Sequence, residues 1–333
     1  MSTLSTGGLG TDFPSEIPFY FFARKNLVGG VPDTILALVS HHVVYWILCG
    51  AFDFLDRCRW KWLDRYRIRE PDEIESRNLV SRSEVIATVI SQQALQTAIG
   101  LIILADVPGI PLSRCGWEPE AMENTLLDLA QLGFIPKLLA SMLAFHKREI
   151  AYWVYWWIIP TSQLILAMIT LDTWLYFSHR MSHMNKFLYK HIHSVHHKLH
   201  APYAFGALYG HVVEGLMQDV TGSLIASSVA GLTPRQNLFF FTFSVVRVID
   251  QHSGYRFPYN PLGWWSKNDA EYHAIHHQAS GMKYNFSQPL FIHWDVIMGT
   301  RMTRKDIEGR KRKTRSSKYS CVTCCTSRGP GCG

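Results

Sequence analysis

Residues 151–197 read AYWVYWWIIPTSQLILAMITLDTWLYFSHRMSHMNKFLYKHIHSVHH. The first 21 contain no Asp, Glu, Lys or Arg, and three Trp and two Tyr crowd their start. As a helix, such a run is long enough to cross a hydrocarbon core, which takes about 20 apolar residues. Aromatic rings at one end suit the layer where lipid meets water. Behind the run come six His within 19 residues, 179–197. The fold must therefore lead a membrane helix directly into a segment built to bind something through imidazole.

Residues 34–52 and 85–105 also lack Asp, Glu, Lys and Arg, which gives three spans. A fourth apolar region, 220–246, is interrupted by Gly231, Pro234 and Arg235 and is expected to form two short helices, a hairpin within one leaflet or a bent pair of spans. A weaker stretch, 126–145, is broken by Gly133, Pro136 and Lys137 and suits an interfacial helix. The expected fold class is an all-α integral membrane protein with about four transmembrane helices, one of them a broken hairpin, carrying a cytosolic histidine-rich helical cap.

Composition agrees. The 333 residues are 47% hydrophobic and only 18% charged, below the roughly 25% charge of ordinary globular proteins. The formal charge of +7, from 33 Lys+Arg against 26 Asp+Glu, is not a nucleic-acid signature. Residues 301–333 hold 10 Lys/Arg and 2 Asp/Glu, leaving 23 against 24 in the other 300. The excess belongs to the tail, where it marks the cytosolic side and adds attraction to anionic lipid. Arg57, Arg59, Lys61, Arg65, Arg67 and Arg69 behind the first span mark the same side. Domain boundaries follow: 1–30 an N-terminal segment, 31–302 the catalytic unit, 303–333 a basic, disordered cytosolic tail.

Four of seven Cys (Cys321, Cys324, Cys325, Cys332) lie in the last 13 residues, and Cys49, Cys58 and Cys115 show no framework spacing, so no disulfide scaffold is expected. For Cys321-x-x-Cys324-Cys325, which no second pair or His cluster follows, palmitoylation is a better reading than zinc, with unmodified cysteines as the alternative. No signal peptide is expected, because no basic region with an apolar core and cleavage site opens the chain. Asn285-Phe-Ser is an N-glycosylation sequon on the expected cytosolic side and should be unmodified.

Twelve of the 16 His fall between 179 and 277. His179 and His183 form an i, i+4 pair, which on a helix stacks two imidazoles on one face. His193-Ser-Val-His196-His197 and His273-Ala-Ile-His276-His277 share the template HxxHH. In it an i, i+3 or i+4 pair faces one way and the adjacent His turns about 100° further. Such boxes can serve two neighbouring ions. Eight His are too many for one zinc, which takes about three or four protein ligands. Arg180 follows His179, so HExxH is absent, and no Glu has His three residues on, so the ExxH of ferritin-like bundles is absent too. Imidazole suits Fe, Cu, Zn and Ni, and two irons with open positions for oxygen best fit the count.

At these boxes the chain resembles the fatty acid hydroxylase/sterol desaturase superfamily of membrane di-iron oxygenases, with its ordered HxxxH, HxxHH and distal HxxHH. The resemblance spans residues 31–302 and is strongest from Asp172. Within that superfamily the segments FLYKHIHS, PYAFGALY, DQHSGY and KYNFSQP look like the sphingoid-base C4-hydroxylases. It implies that His179, His183, His193, His196, His197, His273, His276 and His277 hold the irons, with His252 as a ninth. His211 stands in HVVEG, where the family often has an HPxEG-like segment, so it is expected near the site without ligating. Asp250 and Glu271 are candidates to orient imidazoles, and Trp174, Tyr176, Phe177, Tyr203, Phe205 and Tyr272 to line an acyl groove. His41, His42, His146, His191, His200 and His293 are expected outside the site.

The implied activity is O2-dependent hydroxylation at C4 of sphinganine or dihydroceramide, giving phytosphingosine or phytoceramide in the endoplasmic reticulum membrane. The Gly-Gly-Leu-Gly run at 7–10 is not a dinucleotide fingerprint and no HPGG-like haem segment is present. Electrons are therefore expected from a separate partner, which the resemblance implies is cytochrome b5, supplied from NAD(P)H by its reductase. Two rivals are sterol desaturation or sterol methyl oxidation on the same scaffold, and a metal-binding membrane scaffold or transporter without catalysis.

Overall fold

The computed structural model describes residues 26–68, 76–105, 119–131, 141–142 and 144–310, with residues 18, 20, 24 and 312. Among these no β-strand occurs; pairing is limited to two isolated bridges, Val28 with Val31 and Arg67 with Tyr255. Three helical stretches are long and apolar enough to cross a membrane: Asp33–Cys58, Arg82–Ile103 and Lys147–Met184. The chain is a membrane protein, and its helices α1 (Asp33–Cys58), α2 (Arg82–Ala105) and α3 (Ile159–Met184) show apolar side chains such as Ile47, Ile102 and Ile165 on their outer surfaces. Outward apolar residues are what lipid requires.

Two compact units divide the chain, one of residues 1–32 and 110–160, the other of residues 33–109 and 161–333. In the first, helix Pro119–Gln131 packs on helix Lys147–Trp153, with Lys147 paired to Glu123 at 3.1 Å. The hydroxyl of Tyr20 donates to the Trp156 carbonyl. The expected interfacial helix at 126–145 falls partly on Pro119–Gln131 and otherwise mostly outside the described residues.

The second unit holds the histidines. Its fourth apolar region is a helical hairpin. Val212–Gly215, a π turn Leu216–Thr221 and α4 (Gly222–Ala230) form one helical run. Gly231 ends it at φ 62°, the left-handed conformation that glycine adopts without penalty. α5 (Pro234–His252) then starts with proline at its first turn and a capping box: Thr233 Oγ1 accepts from Gln236 N, and Gln236 Oε1 accepts from Thr233 N. α5 lies along α1 in the same direction. Arg235 pairs with Asp33 at 2.7 Å where both begin, and Tyr255 donates to Asp56 at 2.7 Å where both end. Nineteen residues of helix span about 28 Å. α3 runs the same way, with Gln163 bonded to the hairpin tip at Gly231 and Gln236 and Trp174 Nε1 donating to Met217 O. All three helices therefore deliver their C-terminal ends to one end of the bundle.

α6 (Ala270–His276) begins at Asp269, whose carboxylate accepts from Tyr272 N. Past it, residues 304–310 are helical, with Ile307 packed on Ile275 and Met302. The start of the expected disordered tail is thus docked; the tail cysteines lie outside the described residues.

Candidate metal centre

His179 and His183 occupy the last turns of α3, one turn apart as their spacing requires. Asn185 breaks the helix and caps the next, Lys186–His191, by accepting from Phe187 N and Leu188 N. The second box follows as a 3-10 helix, His193–Lys198, wound tighter than the α-helix its template suggested. His252 ends α5, just before Gly254 turns the chain at φ 78°. That turn is tied to the first span's exit, with Ile68 N donating to Gly254 O and Arg256 N to Tyr66 O. The distal box lies on α6, with His277 as its C-cap.

These elements gather nine imidazoles into two groups, in each of which the nitrogens lie within 4.8 Å of one another. One group holds His179, His183, His193, His197 and His276; the other holds His196, His252, His273 and His277. Both HxxHH boxes are shared. Their first and third His face one group and the middle His the other, and the two boxes do this in opposite senses. His252 stands with the second group, while His41, His42, His146, His191, His200, His211 and His293 stand in neither.

In the first group the Nε2 atoms of His183 and His193 are 2.7 Å apart, those of His183 and His197 3.0 Å, and those of His193 and His197 3.1 Å. His276 Nε2 lies 3.1 Å from His183 Nε2. In the second group His273 Nε2 is 3.1 Å from His252 Nε2 and 3.0 Å from His277 Nε2. Two nitrogens bound at right angles to one ion at about 2.1 Å would lie ~3.0 Å apart.

The opposite ring nitrogens decide which atoms face inward. Nδ1 meets a backbone carbonyl in four rings: His179 at Phe286 O (2.9 Å), His196 at Tyr209 O (2.7 Å), His252 at Val248 O (2.9 Å) and His276 at Tyr284 O (2.7 Å). A carbonyl only accepts, so Nδ1 carries the hydrogen and Nε2 presents a lone pair. Inward lone pairs this close repel unless a cation lies between them. His179 Nε2 is buried without a hydrogen-bond partner among protein atoms. Burial first, then the neighbouring imidazoles, holds His197, His273, His276 and His277 well below the ordinary histidine range, so these rings are neutral, as metal ligands must be. The residues therefore fit a pair of ions with nitrogen ligands.

A rigid loop supplies two of the four carbonyls. Asp295, fully buried, accepts from Phe286 N (3.0 Å), Ser287 N (2.7 Å), Tyr272 Oη (2.8 Å) and Thr300 Oγ1 (2.6 Å). Asp172 on α3 accepts from Leu290 N and Phe291 N. Asn285, also fully buried, donates to Tyr272 O and Met302 O and accepts from Met302 N. Gly281 lets the chain fold back onto α6, since a Cβ there would stand 1.9 Å from Ile275 O. Tyr176 and Tyr272, expected in an acyl groove, bond instead to Thr300 and Asp295 within this frame.

Two sequence-based candidates are corrected. Asp250 pairs with Arg247 at 2.7 Å, one turn back on α5, and accepts from Asn260, while His252 turns its Nδ1 to Val248 O. Glu271 pairs with Arg256 and with Arg304 at 2.6 Å. The carboxylate that does reach a ring is Glu214, whose Oε1 accepts from His193 Nδ1. Burial raises its pKa, opposed by His196 and His211. Its signal in the sequence was a lone acid in the apolar stretch after His211, which caps that helix by accepting from Val213 N.

A membrane bundle that converges imidazoles on two points, at the ends of lipid-facing helices, belongs to the class of membrane proteins able to hold metal ions at those ends. Residues 164–300 match the model of the fatty acid hydroxylase family. The chain is 36% identical over 297 residues to the sphingolipid C4-hydroxylase of Saccharomyces cerevisiae, covering 89% of this chain and 80% of that one. It is 39% identical over 272 residues to sphinganine C4-monooxygenase 1 of Arabidopsis thaliana, covering 82% and 89%. It is also 36% identical over 274 residues to a very-long-chain aldehyde decarbonylase of Oryza sativa subsp. japonica, covering 82% and 91%. No solved structure matches the chain significantly. The chain belongs to the fatty acid hydroxylase family, and it is a hydroxylating monooxygenase.

Proposed function

We propose that the chain is a di-iron sphinganine or dihydroceramide C4-hydroxylase, forming phytosphingosine or phytoceramide with O2 as co-substrate. The observation that carries this reading is the gathering of nine histidines into two groups with inward Nε2 lone pairs. His179, His183, His193, His197 and His276 would hold one iron, and His196, His252, His273 and His277 the other. Bound iron would supply the O2 activation that an unactivated C–H bond requires. The protein's part is to fix each ring by its outer nitrogen, to keep the rings neutral, and to close the site to bulk water behind the loop held by Asp172 and Asp295.

The choice of a sphingoid substrate leans on the names of the yeast and Arabidopsis relatives and on the segments quoted above. We assign electron delivery to a separate cytochrome b5 and its NAD(P)H-dependent reductase, docking on the cytosolic face of the endoplasmic reticulum membrane. The basic residues behind the first span and in the tail support that orientation.

Expression in yeast lacking its own sphingolipid C4-hydroxylase, followed by lipid analysis, tests the reading. Restored, oxygen-dependent phytoceramide is expected. Unchanged phytoceramide with altered sterols, or hydrocarbon formed from long-chain aldehyde, would sink it.

A further inference from the structure

Glu214 is the sole carboxylate bonded to any of the nine rings among the described residues. We propose that it is a positioning residue that makes the two metal positions unequal, an inference that rests on the two-ion reading above. The rings held from outside in the second group, His196 and His252, lean on neutral carbonyls, those of Tyr209 and Val248. His193 in the first group leans on an acid.

The surroundings hold that acid in place. Gln218, one turn on and inside the π turn, donates from Nε2 to Glu214 Oε1 at 3.0 Å. Gly210 lies against the other oxygen, where a Cβ would stand 3.3 Å from Oε2. Its carbonyl is gripped by Gln92 Nε2 of α2 at 2.6 Å. Gly215 leaves the same kind of room, since a Cβ there would be 3.1 Å from Gln92 Oε1 and from Gln96 Nε2. Glu214, Gln218 and Gln92 are each at most 7% exposed. The partners of Oε1 are His193 and Gln218, and Oε2 has none among protein atoms.

A buried carboxylate without a cation beside it is costly. An ion on the far side of His193 offsets that cost through the ring. In return the carboxylate draws on the Nδ1 hydrogen and makes Nε2 a stronger base. The ion of the first group is therefore held more tightly than that of the second.

The test is a chelator titration of the purified full-length protein in detergent, with metal per chain read by mass spectrometry. Wild type should release two ions in two steps. Glu214→Gln keeps an acceptor for His193 and loses the charge. It should release the tighter ion at about 10–100-fold lower chelator, with the other step unmoved. Glu271→Gln, a carboxylate that pairs with Arg256 and Arg304, should match wild type. Gly210→Ala, pressing on Oε2, should weaken the same ion less. Equal weakening of both ions, or none, in Glu214→Gln overturns the role of Glu214 alone. A wild-type protein without two ions overturns the metal-centre reading itself.

Discussion

His196 and His197 are consecutive in the chain, yet their ring planes stand 84° apart and the two side chains belong to different histidine groups. The pair is a partition between the two centres rather than a single bidentate unit.

Replacing the two residues one at a time should therefore remove different ions. His197→Ala is expected to weaken metal binding in the group of His183 and His193, and His196→Ala in the group of His252 and His273. Both variants should lose hydroxylation. Metal analysis together with a spectroscopic signature for each ion decides the matter; identical spectra from the two variants would contradict the partition.

Asp295→Ala strips four donors of their acceptor in a place that water does not reach. Unsatisfied buried donors cost about 1–3 kcal/mol each, so the loop that presents Phe286 O to His179 should give way. A clear drop in the melting temperature in detergent is expected, with Asp295→Asn intermediate. Stability equal to wild type would show that the loop has another anchor.

Gly281→Ala places a methyl 1.9 Å from the Ile275 carbonyl oxygen, which is backbone and cannot step aside cheaply. The turn must open, moving Tyr284 O from His276 Nδ1. Loss of metal from the first group before any loss of helix content is the expected order, read by metal analysis beside circular dichroism.

Metal removal should loosen the chain locally. Imidazoles from the end of α3, from 193–197 and from 270–277 meet at the first centre, and imidazoles from 193–197, the end of α5 and 270–277 meet at the second, so stripping the ions removes cross-links between these elements. Hydrogen exchange should rise across 193–198 and 270–284 and stay low in α1. A uniform rise would mean that the bundle itself depends on the ions.

Much of this was legible in the sequence. Apolar runs without charge gave three spans because lipid tolerates little else, and fixed spacing within a box places imidazoles together whatever surrounds them. The orienting contacts were not legible. Phe286, Tyr284, Tyr209 and Val248 act through backbone carbonyls, which every residue has, so their identities carry no signal. Asp250 and Glu271 misled because nearness in sequence suggested nearness to a ring. Asp250 instead found Arg247 a turn back, and Glu271 found Arg256 and Arg304. Glu214 reaches His193 across 21 residues, a distance no local pattern encodes.

The burial of Asn285 has a consequence for biogenesis. Its amide is spent on Tyr272 O and Met302 O in a loop with no room for a substituent, although Asn285-Phe-Ser is a sugar-acceptor sequence. A chain that met the glycosylation machinery before the loop closed would offer it this asparagine. One attached sugar would then bar that chain from its native state. A glycan on Asn285 and the closed loop are mutually exclusive, because the folded chain already commits that amide to Tyr272 O and Met302 O.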